Sequence, residues 1–252
     1  VSPVSFKMAA MTDTGRKRKR NEDSVRVNSE HGFAVLADGM GGHQAGDVAS
    51  QMAVELICEE FSGKFSDNGN EYVLTEADLS GAISNANSAI HLSSHENPDN
   101  QGMGSTVVVF ALNGDQMLCA HVGDSRLYLV RESTIRQVTT DHTLAQHYVE
   151  MGVMSSSEAA AWHGRNMLMR GLGIEKDTSA DVNQVSLEAG DILVACSDGL
   201  TDVLTDDEIL HIATTPATTE ATANKLISAA NRGGGPDNIT VVVVLVTNAP
   251  PR

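Results

Sequence analysis

Three aspartates carry the strongest chemical signal in this chain, because each stands where an apolar run meets a loop. Asp38 follows Ala34-Val35-Leu36-Ala37, Asp198 follows Leu193-Val194-Ala195-Cys196-Ser197, and Asp237 comes just before Ile239-Thr240-Val241. Runs rich in Val, Ile and Leu and bounded by Gly or Pro read as buried strands, so each carboxylate would be aimed from a rigid strand end. Asp-Gly is also a turn dipeptide, and Asp38-Gly39 or Asp198-Gly199 alone would read as a hairpin turn. Asp237 breaks that pattern, since it follows Gly233-Gly234-Gly235-Pro236 and opens a strand. Converging carboxylates repel one another unless cations lie between them, and an all-oxygen ligand set suits Mg²⁺ or Mn²⁺ rather than zinc.

Composition narrows where such a site could work. With 33 acidic against 17 basic residues the formal charge is -16, which disfavours nonspecific attraction to nucleic acid or an anionic membrane. No apolar run is long enough to cross a bilayer, and the first ten residues lack the basic-then-apolar order of a secretory signal. Cys58, Cys119 and Cys196 sit among apolar neighbours without metal or redox spacing, as buried free thiols of a reducing compartment do. The expectation is a soluble, cytoplasmic monomer with no nucleic-acid or membrane partner, folded as one domain over residues 1–252. One tract runs against the charge balance: Arg16 to Arg20 are all basic. On composition alone such a run is as often as not a localisation signal or nucleic-acid patch. Read as a strand, it would point Arg16, Arg18 and Arg20 one way and Lys17 and Lys19 the other, so that one Arg could face a site.

The elements that would position these residues follow from hydrophobic period. Alternation marks a first strand over about residues 4–12, then strands over 24–28 and 32–37. Val48, Met52, Leu56 and Ala49, Ala53, Ile57 form one face of a helix over 48–61, and Leu79, Ile83, Ala86 and Ile90 form the stripe of a second. Asn113-Gly114-Asp115 turns a hairpin between 105–112 and 116–122; a second hairpin joins 126–130 to 134–138, and a third joins 182–187 to 191–197 through Ala189-Gly190. From about 141 to 180 the pattern loosens into a variable, flap-like segment. It holds a short helix over 144–151, a capping box at Ser155 to Glu158, and Met167 and Met169, read as fillers of core gaps with partner contact as the alternative. Thr205 with Glu208 caps another short helix, 221–230 forms a longer one, and 239–246 is the closing strand. Without regular βαβ alternation, this order predicts an α+β fold in which helices cover two antiparallel sheets.

Gly15, Arg18, Asn21, Glu22 and Asp23 are followed in order by Asp38-Gly39-Met40-Gly41-Gly42-His43, Gly104-Ser105-Thr106, Gly123-Asp124-Ser125-Arg126, Ser197-Asp198-Gly199 and Gly235-Pro236-Asp237-Asn238. In that order, spanning about Thr12 to Val246, the motifs resemble those of the metal-dependent type 2C (PPM) Ser/Thr protein phosphatases, in their compact bacterial branch. The resemblance implies a four-layer αββα sandwich with two Mn²⁺ or Mg²⁺ ions at one end of the paired sheets. It implies that Asp38 bridges both ions, that the Gly39 carbonyl helps hold one, and that Asp198 and Asp237 hold the other. Glu22 and Asp23 would orient ion-bound waters, and Asp124 with Asp198 would take the third ion found in bacterial relatives. Arg18 has the family's position five residues before Asp23 and becomes the phosphate clamp, with Arg16 and Arg20 as alternatives. His43 is the candidate general acid to the leaving group; animal members carry a His directly after the Asp-Gly pair, where this chain has Met40. His142 is read as stabilising a loop.

The chemistry also stands on its own terms. A phosphate monoester is a dianion that repels hydroxide and hydrolyses extremely slowly unaided. Paired divalent cations lower the pKa of water and neutralise charge on the departing alkoxide, and the planar fork of an Arg matches two phosphate oxygens. The reading is therefore Mn/Mg-dependent hydrolysis of phosphoserine or phosphothreonine in proteins by a metal-activated water, opposing a cognate Ser/Thr kinase in signal transduction. The alternatives are a phosphohydrolase of nucleotides or small phosphoesters, and a catalytically inactive phosphoprotein-binding module. An inactive relative would be expected to lose ligand carboxylates, and this chain keeps Asp23, Asp38, Asp198 and Asp237. The net charge favours neutral or basic phosphopeptides, and the 141–180 segment is the expected seat of substrate choice.

Overall fold

The apolar run that closes the chain has two faces to bury, and the architecture follows from burying both. The computed structural model describes residues 4–41, 45–69 and 72–248. Its elements in chain order are β1 (Val4–Asp13), β2 (Asp23–Asn28), β3 (Phe33–Met40), α1 (Ala45–Asn68), α2 (Glu76–Glu96), β4 (Gly104–Ser105), β5 (Val107–Asn113), β6 (Gln116–Val122), β7 (Arg126–Arg131), β8 (Thr134–Gln137), α3 (Leu144–Glu150), α4 (Ser156–Ala161), β9 (Asp181–Ser186), β10 (Ile192–Cys196), α5 (Asp198–Thr201), α6 (Asp206–Thr214), α7 (Thr219–Arg232) and β11 (Ile239–Asn248). One antiparallel sheet has the order β1-β11-β10-β7-β8 and the other β2-β3-β5-β6-β9, with the short β4 beside β3.

Side-chain parity sorts these strands into three apolar layers. Ala34, Leu36, Val108, Phe110, Leu193, Ala195, Val242 and Val244 fill the space between the sheets. Their alternates Val35, Ala37, Val107 and Val109 pack under α1 and α2, while Val194, Val241 and Val243 pack under α6 and α7. Strands buried on both faces need apolar residues at every position, which is why β11 reads as a continuous Val run rather than an alternation. The result is the expected helix, sheet, sheet, helix stack of two antiparallel sheets.

Several boundaries differ from the sequence reading for identifiable reasons. α1 runs on to Asn68, past the expected end near Phe61, because Phe65 falls on the buried stripe and packs against Phe33 and Tyr72. Gly63 and the serines at 62 and 66, which return hydrogen bonds to the carbonyls of Cys58 and Ser62, mask that continuation in the sequence. The capping boxes at Ser155 and Thr205 form as read, and Thr75 with Asp78 adds a third at the start of α2. The expected hairpin between 182–187 and 191–197 does not form: β9 pairs with β6 in one sheet and β10 with β7 and β11 in the other. The turn is instead a crossing between sheets, held by Arg131 on Asp191 at 2.7 Å and by the backbone pair of Val246 with Gly190 and Asp191. The basic tract is a loop, not a strand. Met167 and Met169 are 56% and 50% exposed rather than gap fillers, because residues 167–169 lie along the outside of Thr143.

Phe110 is fully enclosed between the sheets, so Phe110→Ala should cost about 3–5 kcal/mol. The exposed Leu92 on α2 should tolerate Ala within about 0.5 kcal/mol, and urea denaturation of the two variants checks the contrast.

Candidate active site

At one end of the sandwich the inter-sheet layer stops being apolar. Continuing the inward parity of each strand leads from Leu36 to Asp38, from Val25 to Asp23, from Ala195 to Ser197, from Val242 to Thr240 and from Met8 to Thr12. The strands meet there in register: Asp23 lies directly across from Asp38, and Thr12 from Thr240. Asp198 follows β10, Asp237 precedes β11, and Asp124 sits where the chain leaves β6 in one sheet for β7 in the other. The carboxylates singled out by their strand-end positions are thus brought together.

Hydroxyls and tight backbone approaches hold them. Asp23 is buried, and its Oδ2 accepts hydrogen bonds from Ser197 Oγ (2.8 Å) and Thr240 Oγ1 (2.6 Å), both carried by the opposite sheet. The Asp38 amide donates to Thr106 Oγ1, its carbonyl accepts from Thr106 N and Ser105 Oγ, and Thr106 Oγ1 is itself 2.7 Å from Ser125 Oγ. Gly104-Ser105-Thr106 and Gly123-Asp124-Ser125 are therefore one clamp on the backbone of Asp38. A Cβ at Gly39 would overlap the carbonyl oxygen of Gly46 at the start of α1, and one at Gly199 would overlap that of Asn238, so each Asp-Gly pair is fixed by a close chain approach rather than by a hairpin turn. Asn238 accepts from the Glu22 amide and donates to the carbonyls of Thr14 and Arg20, tying the β1–β2 loop to the start of β11.

The electrostatic consequence is a set of carboxyls that resist ionisation. Burial raises Asp38 and Asp198 well above the ordinary range, and the neighbouring carboxylates push further: Asp23, Asp198 and Asp124 on Asp38, and Asp124, Asp202 and Asp237 on Asp198. Burial lifts Asp124 to about 7, reinforced by Asp141. Burial also lifts Asp23, to about 6, against the two hydroxyl donors that favour its charged form. Glu22 is raised by burial as well. Two of the buried oxygens, Asp23 Oδ1 and Asp198 Oδ1, find no hydrogen-bond partner among the described residues. Crowded anions with orphaned oxygens fit a hard divalent cation, which would remove both penalties together. Among the described residues no three Asp, Glu, His or Cys side chains close on a common point. An ion here would take its protein ligands from one or two carboxylates and a backbone carbonyl and complete its shell with water, as Mg²⁺-like ions do.

Arg18, not Arg16 or Arg20, reaches this cluster: its Nη2 donates to Asp237 Oδ2 at 2.7 Å while the side chain stays half-exposed. Gly42 and His43 lie outside the described residues. His142 does support a loop, its Nδ1 accepting from the Gly123 amide beside Asp124, and its buried ring stacks on His121 at 4.6 Å. Sequence reasoning gave no role to Ser197, Thr240 and Asn238, although all three stand inside or next to the Asp motifs, and it missed the half-buried pair of Arg126 with Asp141 (2.7 Å). A cleft of about 540 Å³ opens beside Asp124 and Asp198, walled by Gln146 and Val149 of α3 and Ala159 of α4.

Comparison with known proteins agrees with this geometry. The family model described as Protein phosphatase 2C matches residues 14–230. Serine/threonine phosphatase stp of Listeria monocytogenes serotype 4b is 38% identical over 236 residues, covering 92% of this chain and 93% of that protein. Serine/threonine protein phosphatase PstP of Mycobacterium tuberculosis is 38% identical over 96% of this chain, which spans 45% of PstP. The crystal structure of that phosphatase superposes with a TM-score of 0.85 at 38% identity, covering 95% of this chain and 97% of the other. A second PstP structure, the catalytic domain in complex with 2 manganese ions, has a TM-score of 0.83 at 37% identity, covering 97% of this chain and 99% of the other.

A carboxyl whose pKa is higher folded than unfolded contributes stability that is complete below the unfolded value and lost as pH rises through the folded one. Asp124, Asp38 and Asp198 are such groups, and His142, pushed down to about 4 by burial and His121, opposes them only below its unfolded value of about 6.5. In EDTA the melting temperature should therefore rise as pH falls from 8 to 6.5, and saturating Mn²⁺ should flatten or invert that slope. A metal-free melting temperature that falls over this window would contradict the crowding.

Proposed function

The chain belongs to the protein phosphatase 2C family and is a serine/threonine protein phosphatase, and from that premise we propose how its own residues carry the reaction. Two divalent cations, Mn²⁺ or Mg²⁺, are held by Asp38, the Gly39 carbonyl, Asp198 and Asp237, with Glu22 and Asp23 orienting their waters and Asp124 offering a third position. The observation that carries this reading is the convergence of Asp23, Asp38, Asp124 and Asp198 on one end of the sandwich with two buried carboxylate oxygens unpartnered among the described residues. When bound, such ions supply a nucleophile at neutral pH by lowering the pKa of water, and they neutralise charge on the phosphoryl oxygens.

The remaining roles belong to protein groups. Arg18 stands on the rim with one edge on Asp237, and its other guanidinium N–H groups are available to two oxygens of the substrate phosphate. Ser197 and Thr240 favour the ionised form of Asp23 against its burial and orient it by donating to one oxygen, leaving the other for a water. Ser105 and Thr106 fix the Asp38 backbone at the strand end, so the strand presents its carboxylate to the site from a rigid position. His43 is the proposed general acid. Substrates are phosphorylated Ser/Thr proteins of a cognate kinase, bound by a monomer in the cytoplasm, with the 141–180 segment of a single 1–252 domain walling the substrate cleft. No helix among the described residues is long and apolar enough to cross a membrane, and all three cysteines are free and buried.

Hydrolysis of a phosphothreonine peptide should require added Mn²⁺ or Mg²⁺ and stop in EDTA; activity that persists in EDTA would defeat the proposal. Asp38→Ala and Asp198→Ala should abolish turnover without lowering the urea midpoint of the metal-free protein, because each removes a buried, crowded carboxyl whose charged form is disfavoured. Asp23→Asn should cost about 10–100-fold in metal affinity or activity. Arg18→Ala should raise KM more than it lowers kcat, and an unchanged KM would remove Arg18 from the phosphate.

A further inference from the structure

The tract Arg16-Lys17-Arg18-Lys19-Arg20 concentrates five of the chain's 17 cationic side chains in one loop, and the proposed reaction uses only Arg18. The loop is fastened to the site at three points. Arg18 reaches Asp237; the amides of Arg16 and Lys17 donate to the Gly235 carbonyl; and Asn238, next to Asp237, donates to the carbonyls of Thr14 and Arg20 at the two ends of the loop. Its backbone is therefore set before any ligand arrives, which removes ordering cost from binding. All five side chains are exposed, and among the described residues none of Arg16, Lys17, Lys19 and Arg20 forms an ion pair. The acids that face the loop are otherwise engaged: Asp237 with Arg18, and Asp13 with the Gly15 amide and Asn231. Glu22 is partly buried at its base.

We propose that Arg16, Lys17, Lys19 and Arg20 form an acidic-flank reader: they bind a second anionic group, a carboxylate or another phosphate, on the phosphoprotein segment whose phosphorylated residue occupies the site. The inference rests on the phosphatase reading and reverses the expectation drawn from the net charge. Screening confines each charge to about 8 Å at physiological salt, so the loop and not the distant acidic surface sets the field at this rim. An extended peptide advances about 3.3–3.6 Å per residue, so acids two to four positions from the phosphoresidue reach out about 7–14 Å, the scale of one loop. A long polyanion would instead have to lie across the acidic remainder of the surface, which disfavours nucleic acid as the occupant.

The test compares a phosphothreonine peptide with neutral flanks against the same peptide carrying three flanking Glu residues, with saturating Mn²⁺. Wild-type kcat/KM should favour the acidic peptide by about tenfold at low salt, and the preference should shrink as salt is raised. The variant Arg16→Gln/Lys17→Gln/Lys19→Gln/Arg20→Gln should bring the two peptides within about twofold while its rate on p-nitrophenyl phosphate stays at the wild-type value. Lys17→Gln/Lys19→Gln, which alters no side-chain hydrogen bond among the described residues, should fall between them. Equal wild-type rates on both peptides would overturn the reader and leave the phosphatase standing, whereas no hydrolysis of either would overturn both. Inhibition by a DNA duplex that matches the acidic peptide in strength and vanishes in the fourfold variant would reassign the loop to nucleic acid and overturn the proposal.

Discussion

A buried carboxylate shared between the two sheets is the constraint on which the rest of this end of the molecule depends. Asp23 belongs to one sheet, and both hydroxyls that solvate it, from Ser197 and Thr240, belong to the other. An ionised carboxylate left unpaired in an apolar layer is among the costliest groups a core can hold. The sheets must therefore face each other in the register that brings inward-pointing Ser197 and Thr240 onto Asp23, and that register also delivers Asp38, Asp198 and Asp237. Hydrophobic burial makes the sandwich cohere, but it is indifferent to a slide of one sheet over the other. The Asp23 bonds remove that freedom.

The same end works against the stability of the fold. Asp38 and Asp198 lie close enough to perturb each other's ionisation, and Asp124 adds a third like charge. The three apolar layers elsewhere carry that cost, and the hydroxyl clamp on the Asp38 backbone prevents the strand end from splaying to relieve it. A site kept crowded in this way favours cations, because binding them releases the repulsion between its carboxylates.

Most of the framework could be read from the sequence because strands buried on both faces announce themselves as unbroken Val and Ile runs, and because Ser155 and Thr205 with their Glu partners mark helix starts by local chemistry alone. The crossing between β9 and β10 could not be read, since Ala189-Gly190 turns the chain in the same way whether the next strand returns to its own sheet or joins the other. What decides it is Arg131 on Asp191, a contact between residues 60 apart in the chain. The Asp positions were legible as strand ends, and their convergence was implied by motif order. Their supports were not: a Ser or Thr at an inward position looks like an ordinary strand residue until the carboxylate it faces is known. The basic tract misled in a different way, because alternation assigns faces only to a strand, and Asn238 folds these residues into a loop.

The charge of -16 illustrates why a whole-chain sum says little about a site. On the cleft side, Arg126 is spent on Asp141 and Arg165 lies 3.3 Å from Asp202, so those acids and bases cancel locally. On the other side Arg18 is paired with Asp237, but among the described residues Arg16, Lys17, Lys19 and Arg20 stand without such partners. A substrate approaching the Asp cluster thus meets locally paired charges on the cleft side and a positive rim formed by residues 16–20 on the other. That asymmetry is set by the pairing of individual side chains within a screening length of the site. Removing distant surface acids would change the net charge while leaving it intact, whereas unpairing Asp141 would alter it without any large change in the total.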